Sequence, residues 1–388
     1  MQNSARSNTI ATGLAMFSMF FGAGNVVFPL AIGQYAQDKN VFAIIGLLIT
    51  AVGVPFLGLI SMTLFDGDYR RFFGRIGKVP GFLAAFVIMG LIGPFGALPR
   101  CIALSYSTVS SFIPGVSLSL FSILSCLVIF VFAVKRNRIV DILGYVLTPL
   151  LLISLVVIIV MGLIFSPEAI EAPHNSFIVF LEGLRQGYQT MDLPGALFFS
   201  SVILVCLKKD LAPEERTNYT RIVTLTLKAS CIGATLLALT YIGFSYVAAF
   251  NSHHLSGVTS DALIGQIATM VLGDHAGILA SVVVALACLT TAIALASVFA
   301  EFVYEDISQF KIGYGVSLAI TLVIAYFVST LSFTVIASWL MPILEILYPA
   351  LIALSLVNIA YMLWNFKPVK IPVLIVFAAS IFGYFYGK

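Results

Sequence analysis

An amide, a carboxylate and a pair of hydroxyls stand where polar groups are costly, inside long apolar runs. Asn25 lies in Phe20-Phe21-Gly22-Ala23-Gly24-Asn25-Val26-Val27-Phe28-Pro29, and Asp192 in Tyr188-Gln189-Thr190-Met191-Asp192-Leu193-Pro194-Gly195-Ala196. Thr290 and Thr291 lie in Ala287-Cys288-Leu289-Thr290-Thr291-Ala292. Gly22 and Gly24 lack the side chains that hold a helix, and Pro29 lacks a backbone donor. A backbone group freed in hydrocarbon costs several kcal/mol unless it is buried in protein or lines a wet cavity, so a break here implies an interior site. Half-helix ends supply both signs of charge. The N–H groups of residues 22–25 suit a carboxylate, and carbonyls closing the preceding half, near Ser18 and Phe21, suit a cation. The competing reading is a packing face of small residues.

Asp192 is the clearest single residue, because an acid at mid-membrane costs at least about 2.5 kcal/mol and normally faces a cavity with a partner. Four roles are open to it: binding a substrate ammonium, joining a cation shell, taking up a proton, or capping the half-helix that restarts before Pro194. The hydroxyls of Thr290 and Thr291 suit a small hard cation or bond back to their own helix. Arg100, after Gly93-Pro94-Phe95-Gly96-Ala97-Leu98-Pro99, either pairs with an acid in a gate or snorkels to the outer interface. Glu182, Arg185, Glu301, Glu305 and Asp306 read as boundary charges, and Glu345, between Pro342 and Pro349, as an interior acid or the mark of a turn. His174, His253, His254 and His275 fall in predicted outside loops, which leaves no histidine relay in the membrane.

The elements that must position these groups are membrane spans. Of 388 residues, 60% are hydrophobic and 10% charged, against roughly 25% charged in a soluble domain. Apolar runs near 9–34, 41–65, 80–110, 117–134, 140–165, 177–207, 221–249, 277–303, 312–330, 332–346, 347–364 and 371–387 predict about twelve helices, with the span from Phe333 to Phe366 open to two short helices or one long tilted helix. With a cytoplasmic N-terminus, Arg70, Arg71, Arg75 and Lys78, then Lys135, Arg136 and Arg138, then Lys208, Lys209, Arg216 and Arg221 gather inside. Loops 110–115, 166–176 and 250–277 carry no Lys or Arg and belong outside, while Lys367 and Lys370 disobey the pattern. The net charge of +3 forms no basic patch, so nucleic acid is excluded as a partner. No obligate protein partner and no cleaved signal peptide are expected. The five cysteines lack metal or redox spacing and read as packing residues. The breaks fall in the first and sixth helices. That predicts one transmembrane domain over 1–388, built from inverted repeats at about 9–165 and 177–346 with two extra helices over 347–387.

Several blocks, in order, carry a resemblance: Gly22-Ala23-Gly24-Asn25 with Phe28-Pro29; Ile76-Gly77-Lys78-Val79; Gly93-Pro94 with Pro99-Arg100; Gly187-Tyr188 with Thr190-Met191-Asp192 and Gly195-Ala196; and Ala300-Glu301-Phe302. Over essentially its whole length the chain resembles the branched-chain amino acid transport system II carriers, bacterial symporters of leucine, isoleucine and valine. The resemblance implies an all-α membrane protein of the five-plus-five LeuT-type architecture in the bacterial inner membrane. It also implies a sodium site made by Ala287, Thr290 and Thr291 with the carbonyls of Ser18 and Phe21. Asn25 is similarly placed as ligand of a second sodium beside the substrate carboxylate, with Thr190 as a partner. The expected function is cation-coupled uptake, by sodium or alternatively by protons. Gly22, Ala23, Gly24, Asn25, Thr190, Met191 and Asp192 are expected to hold the substrate, and Phe198 to join its apolar pocket. An enzyme would need a nucleophile and base or a metal cluster, and a channel a continuous polar lining. Neither pattern is present in the sequence.

Overall fold

The computed structural model describes residues 2–112, 115–134, 139–164, 170–209 and 218–386. The predicted inside charges Lys135, Arg136, Arg138 and Arg216 lie outside the described residues. Among those described, every regular element is helical. The first interrupted crossing is α1 (Gln2–Phe20) and α2 (Ala23–Ala36), with Gly22 extended between them. A tight turn through Gln37–Lys39 reverses the chain into α3 (Asn40–Leu48), a π-helical turn at Ile49–Gly53, and α4 (Val54–Leu64). The short α5 (Tyr69–Gly74) precedes α6 (Lys78–Ile92) and α7 (Ala97–Val109), which turns at residues 93–96 separate. Then come α8 (Leu118–Val134) and α9 (Ile139–Ile164).

The second interrupted crossing is α10 (Ser176–Gln189) and α11 (Asp192–Lys209). It is followed by α12 (Tyr219–Phe250) and α13 (Leu263–Phe302), where Gly273 at φ 74° turns the chain ahead of the crossing at Ala280–Ile307. The order ends with α14 (Tyr314–Ser329), α15 (Phe333–Trp364) and α16 (Lys370–Tyr386). Three helices, α5, α10 and α12, start on side-chain caps: Asp68 accepts from the Arg71 N–H at 3.0 Å, Asn175 from Ile178 at 2.8 Å and Asn218 from Arg221 at 3.0 Å.

Among the described residues, five helical stretches are long and apolar enough to cross a membrane, Lys78–Val109 and Ala280–Ile307 among them, and six shorter apolar helices accompany them. Their outward faces carry Val79, Phe82, Val131, Val323 and Leu374, as suits contact with lipid. The polar interior lies where α2 and α11 meet α7, α12 and α13.

Of the two readings open for the span from Phe333 to Phe366, the structure has the single helix, Phe333–Trp364, with Pro342 and Pro349 inside it, and α16 follows it. Proline is tolerated within membrane helices because neighbours and side chains re-satisfy the freed groups. The single helix also removes the anomaly of Lys367. Arg75 donates to the Lys367 carbonyl at 3.4 Å and stacks on Tyr361, 3.4 Å from guanidinium carbon to ring centroid. The basic residues of the loops before α6 and α16 therefore share one end of the molecule. Glu345 marks no turn either: it sits within α15, 3.4 Å from Arg185 Nε on α10.

Candidate functional site

The two breaks meet. Gly22 N–H donates to Asn25 Oδ1 at 3.2 Å, so it no longer bonds the Ser18 carbonyl four residues back. Asn25 N–H bonds the Gly22 carbonyl at 3.2 Å instead of continuing the ladder to Phe21. Both changes leave carbonyls at the end of α1 for outside partners. Across the gap the chain passes between α10 and α11 through Met191 at φ 61°, a left-handed conformation that is strained for a side chain of this size. Gly24 makes the contact feasible, since a Cβ there would lie 3.0 Å from Thr190 Cα, 3.1 Å from the Thr190 carbonyl oxygen and 3.2 Å from that of Gln189.

Asp192, 3% exposed, opens α11, but its carboxylate reaches across rather than capping its own helix. Asn25 Nδ2 donates to Oδ1 at 2.8 Å and Oδ2 at 2.9 Å, and the Tyr241 hydroxyl of α12 donates to Oδ2 at 2.8 Å. The Asn25 amide also contacts the Tyr241 oxygen closely. Three helices are thus tied through one carboxylate whose partners are all neutral. Thr190 points its hydroxyl back to the Gly187 carbonyl at 2.9 Å.

On the other side of α1, Thr291 donates to the carbonyls of Phe21 and Ala287, each at 3.2 Å, and Thr290 to Ala287 at 2.8 Å. Gly22 packs on Thr291, where a Cβ would stand 3.1 Å from its methyl. The Thr291 hydroxyl and the carbonyls of Phe21 and Ala287 therefore meet between α1 and α13, oxygen atoms of the kind a small hard cation prefers, while Thr290 bonds back to its own helix. At the second expected position Asn25 turns its amide nitrogen to Asp192 and accepts the Gly22 N–H on its oxygen, an oxygen that keeps a second lone pair.

A cavity of about 40 Å³ lies at the junction, walled by Gly22, Ala23, Gly24, Asn25, Thr190, Met191, Asp192 and Thr291 together with Arg100, Ile92, Phe199 and Leu295. A second small cavity, about 30 Å³, meets Phe20 and Asp192 from the side of α4 and α12. Arg100, 1% exposed, neither snorkels nor pairs with an acid. It donates from Nη1 to Gln189 Oε1 at 3.2 Å and from Nη2 to the Gln189 carbonyl at 2.9 Å, and its Nε has no partner. Phe198 is not part of the cavity wall: its ring stacks on Phe73 and packs on Tyr69, and its neighbour Phe199 faces the site. One residue turns a helix by about 100°, and both faces of α11 are apolar, so the sequence had no periodicity with which to choose. Tyr241, Gln189 and Cys101 also belong to the site or its support, and sequence reasoning missed them.

Comparison with known proteins bears on the fold and the family. The permease BrnQ of Bacillus subtilis (strain 168), named for branched-chain amino acids, is 31% identical over 375 residues, 93% of this chain and 82% of its own. Among solved structures, a nucleobase-cation-symport-1 family transporter, in a closed conformation with bromovinylhydantoin bound, superposes with a TM-score of 0.61 at 15% identity, covering 92% of this chain and 79% of that one. A substrate-bound, outward-open Na+-coupled sialic acid symporter gives 0.59 at 13% identity, covering 97% and 89%. At these identities the structures speak to the fold alone, an all-helical transporter fold with interrupted crossings. The family described as branched-chain amino acid transport protein matches residues 5–386. With the match spanning nearly the whole sequence, the chain belongs to the branched-chain amino acid transport protein family, a family of transporters rather than enzymes.

Proposed function

We propose that this protein is a secondary active transporter that carries leucine, isoleucine or valine across the bacterial inner membrane together with a cation, sodium in the first instance, by alternating access. The observation that carries the reading is the meeting of two helix breaks around one buried cavity that presents N–H groups and a carboxylate side by side. The positive end of α2, where the N–H groups of Gly22 and Asn25 are already bonded within the break, takes the substrate carboxylate, and Asp192 faces the ammonium. Ile92, Met191, Phe199 and Leu295 offer the apolar wall for a branched side chain. Leucine, isoleucine and valine differ there by only about 1–3 kcal/mol.

Sodium bound by Ser18, Phe21, Ala287, Thr290 and Thr291 would supply positive charge between α1 and α13. The chain's own part is to offer carbonyls freed by the break at Gly22 and to hold Thr291 against Phe21. A cation raises substrate affinity only by favouring the same conformation. At about 40 Å³ the cavity has room for little more than a water or two, so its walls must separate to admit an amino acid. We read α1–α9 and α10–α15 as the inverted repeats, and the N-terminus as cytoplasmic, which puts the basic end of the molecule inside.

The test is uptake of radiolabelled leucine into proteoliposomes under an inward sodium gradient, an inward proton gradient, or none. Sodium-driven accumulation that Thr291→Ala abolishes supports the reading. Accumulation driven by protons alone and lost in Asp192→Asn moves the coupling to α11. No uptake under any gradient, from folded protein, removes the substrate assignment.

A further inference from the structure

Arg100 carries a full charge with no counter-charge bonded to it. Its guanidinium is buried, its two bonded nitrogens reach only the neutral oxygens of Gln189, and Nε reaches nothing. Its flat faces lie against Phe28 and Phe333, with the guanidinium carbon 5.4 and 5.8 Å from the ring centroids. No acid pairs with it among the described residues. The Gln189 carbonyl closes α10 and brings the negative end of a half-helix dipole, which offsets only a fraction of a unit charge. A cation held in this way is costly unless something anionic joins it.

The arginine also lines the cavity at the break. The Gln189 carbonyl that it holds is the one that approaches Gly24 to 3.2 Å at its Cβ position. The guanidinium is therefore next to the N–H groups of residues 22–25, on the positive side of a cavity whose negative side is Asp192. The geometry points to Arg100 as the residue that binds the α-carboxylate of the substrate, with the unpartnered Nε and the remaining N–H donors of the fork serving a carboxylate better than a point charge would. The pocket then recognises a zwitterion by two fixed charges that do not bond each other, and the position beside Asn25 needs no second cation to neutralise the carboxylate. This rests on the amino acid reading given above.

The alternative role, fastening the end of α10, is structural and would not distinguish one ligand from another. Binding to the purified full-length protein in sodium, followed by thermal stabilisation, separates the two with leucine and leucinamide, which lacks the carboxylate charge. Wild type should favour leucine by about a hundredfold, Arg100→Lys by about tenfold, and Arg100→Gln by less than about threefold. A leucine-to-leucinamide ratio unchanged in either variant overturns the assignment, even where both ligands weaken together. Should Arg100→Gln fail to fold, Arg100→Lys decides by the same ratio. A wild type that binds neither ligand removes the substrate reading and this inference with it, whereas a wild type that binds leucine with an invariant ratio removes this inference alone.

Discussion

Two polar clusters in this molecule obey opposite rules. At the end that gathers the basic loops, charge meets charge. Arg70 Nε lies 2.8 Å from Asp306 Oδ1, Arg70 Nη2 2.9 Å from Glu305 Oε2, and Lys208 Nζ 2.6 Å from Asp66. The Tyr69 hydroxyl also bonds Asp306, and its ring packs between Phe198 and Phe302. Burial first, then the bond to Asp306, raises the Tyr69 phenol above its ordinary value, and the Asp306 hydrogen bond raises Arg70. Both therefore stay protonated donors as pH rises. At the membrane centre, charge meets only neutral groups, Asp192 the amide of Asn25 and the hydroxyl of Tyr241, Arg100 the oxygens of Gln189. Exposed pairs close on themselves at small net gain. Interior charges held apart keep their binding capacity for a ligand, and the fold bears the cost of burying them. A difference in pairing is thus a difference in purpose on the reading proposed above: one cluster fastens helices together, the other receives substrate.

The largest effect should come where the interior cluster depends on backbone contact. Gly24→Ala places a methyl 3.0–3.2 Å from backbone atoms of Thr190 and Gln189, which cannot swing aside as a side chain could. The breaks must move apart, and with them Asn25 from Asp192 and Gly24 from the carbonyl that Arg100 holds. Leucine uptake should fall by more than about thirtyfold, since misplacement of about 1 Å costs such factors in a preorganised site. Wild-type uptake in that variant would show that the two breaks do not act as one site.

How much of this could be read from residues alone follows from where sequence carries punctuation. Gly22, Gly24, Pro29 and the run Asp192-Leu193-Pro194-Gly195 interrupt apolar segments, so both breaks and their residues were legible. The oxygen set on α13 became legible only through family likeness, because Thr290 and Thr291 also bond back to Ala287 as any membrane threonine can. Tyr241 was not legible: its partners lie 49 and 216 positions away, and nothing local marks it. Pro342 and Pro349 left one helix or two open, since proline is a breaker by local rule and a tolerated insertion in a packed membrane helix. Arg100 was recognised as out of place, but its partners proved to be carbonyl and amide oxygens, which no count of acids could reveal.

A middle effect is expected at Tyr241. Tyr241→Phe keeps the ring and removes the one hydroxyl that bridges Asp192 and Asn25. Losing one bond to a buried carboxylate is worth about 1.5–3 kcal/mol, and Asn25 remains to hold Asp192. The concentration of leucine at half-maximal uptake should rise by about tenfold with the maximal rate largely kept. A change of less than twofold would make the α12 contact incidental and leave Asp192 held by α2 alone.

The smallest effect should come at the charged end, through Arg70. Its side chain is 55% exposed, water and salt already screen its pairs, and such contacts are each worth about 0–1 kcal/mol. Arg70→Gln leaves the Tyr69 hydroxyl on Asp306 and the packing on Phe198 and Phe302 untouched. Leucine affinity should move by less than about threefold, because no substrate-facing group is altered and only the balance between conformations can shift. That balance is where the change should be visible: raising ionic strength should bring wild-type transport rates toward those of Arg70→Gln and leave the variant unmoved. A loss of affinity in Arg70→Gln as large as that at Gly24 would mean that the paired end is coupled to the cavity as tightly as the cavity is to itself, and the division of labour between fastening and binding would not hold.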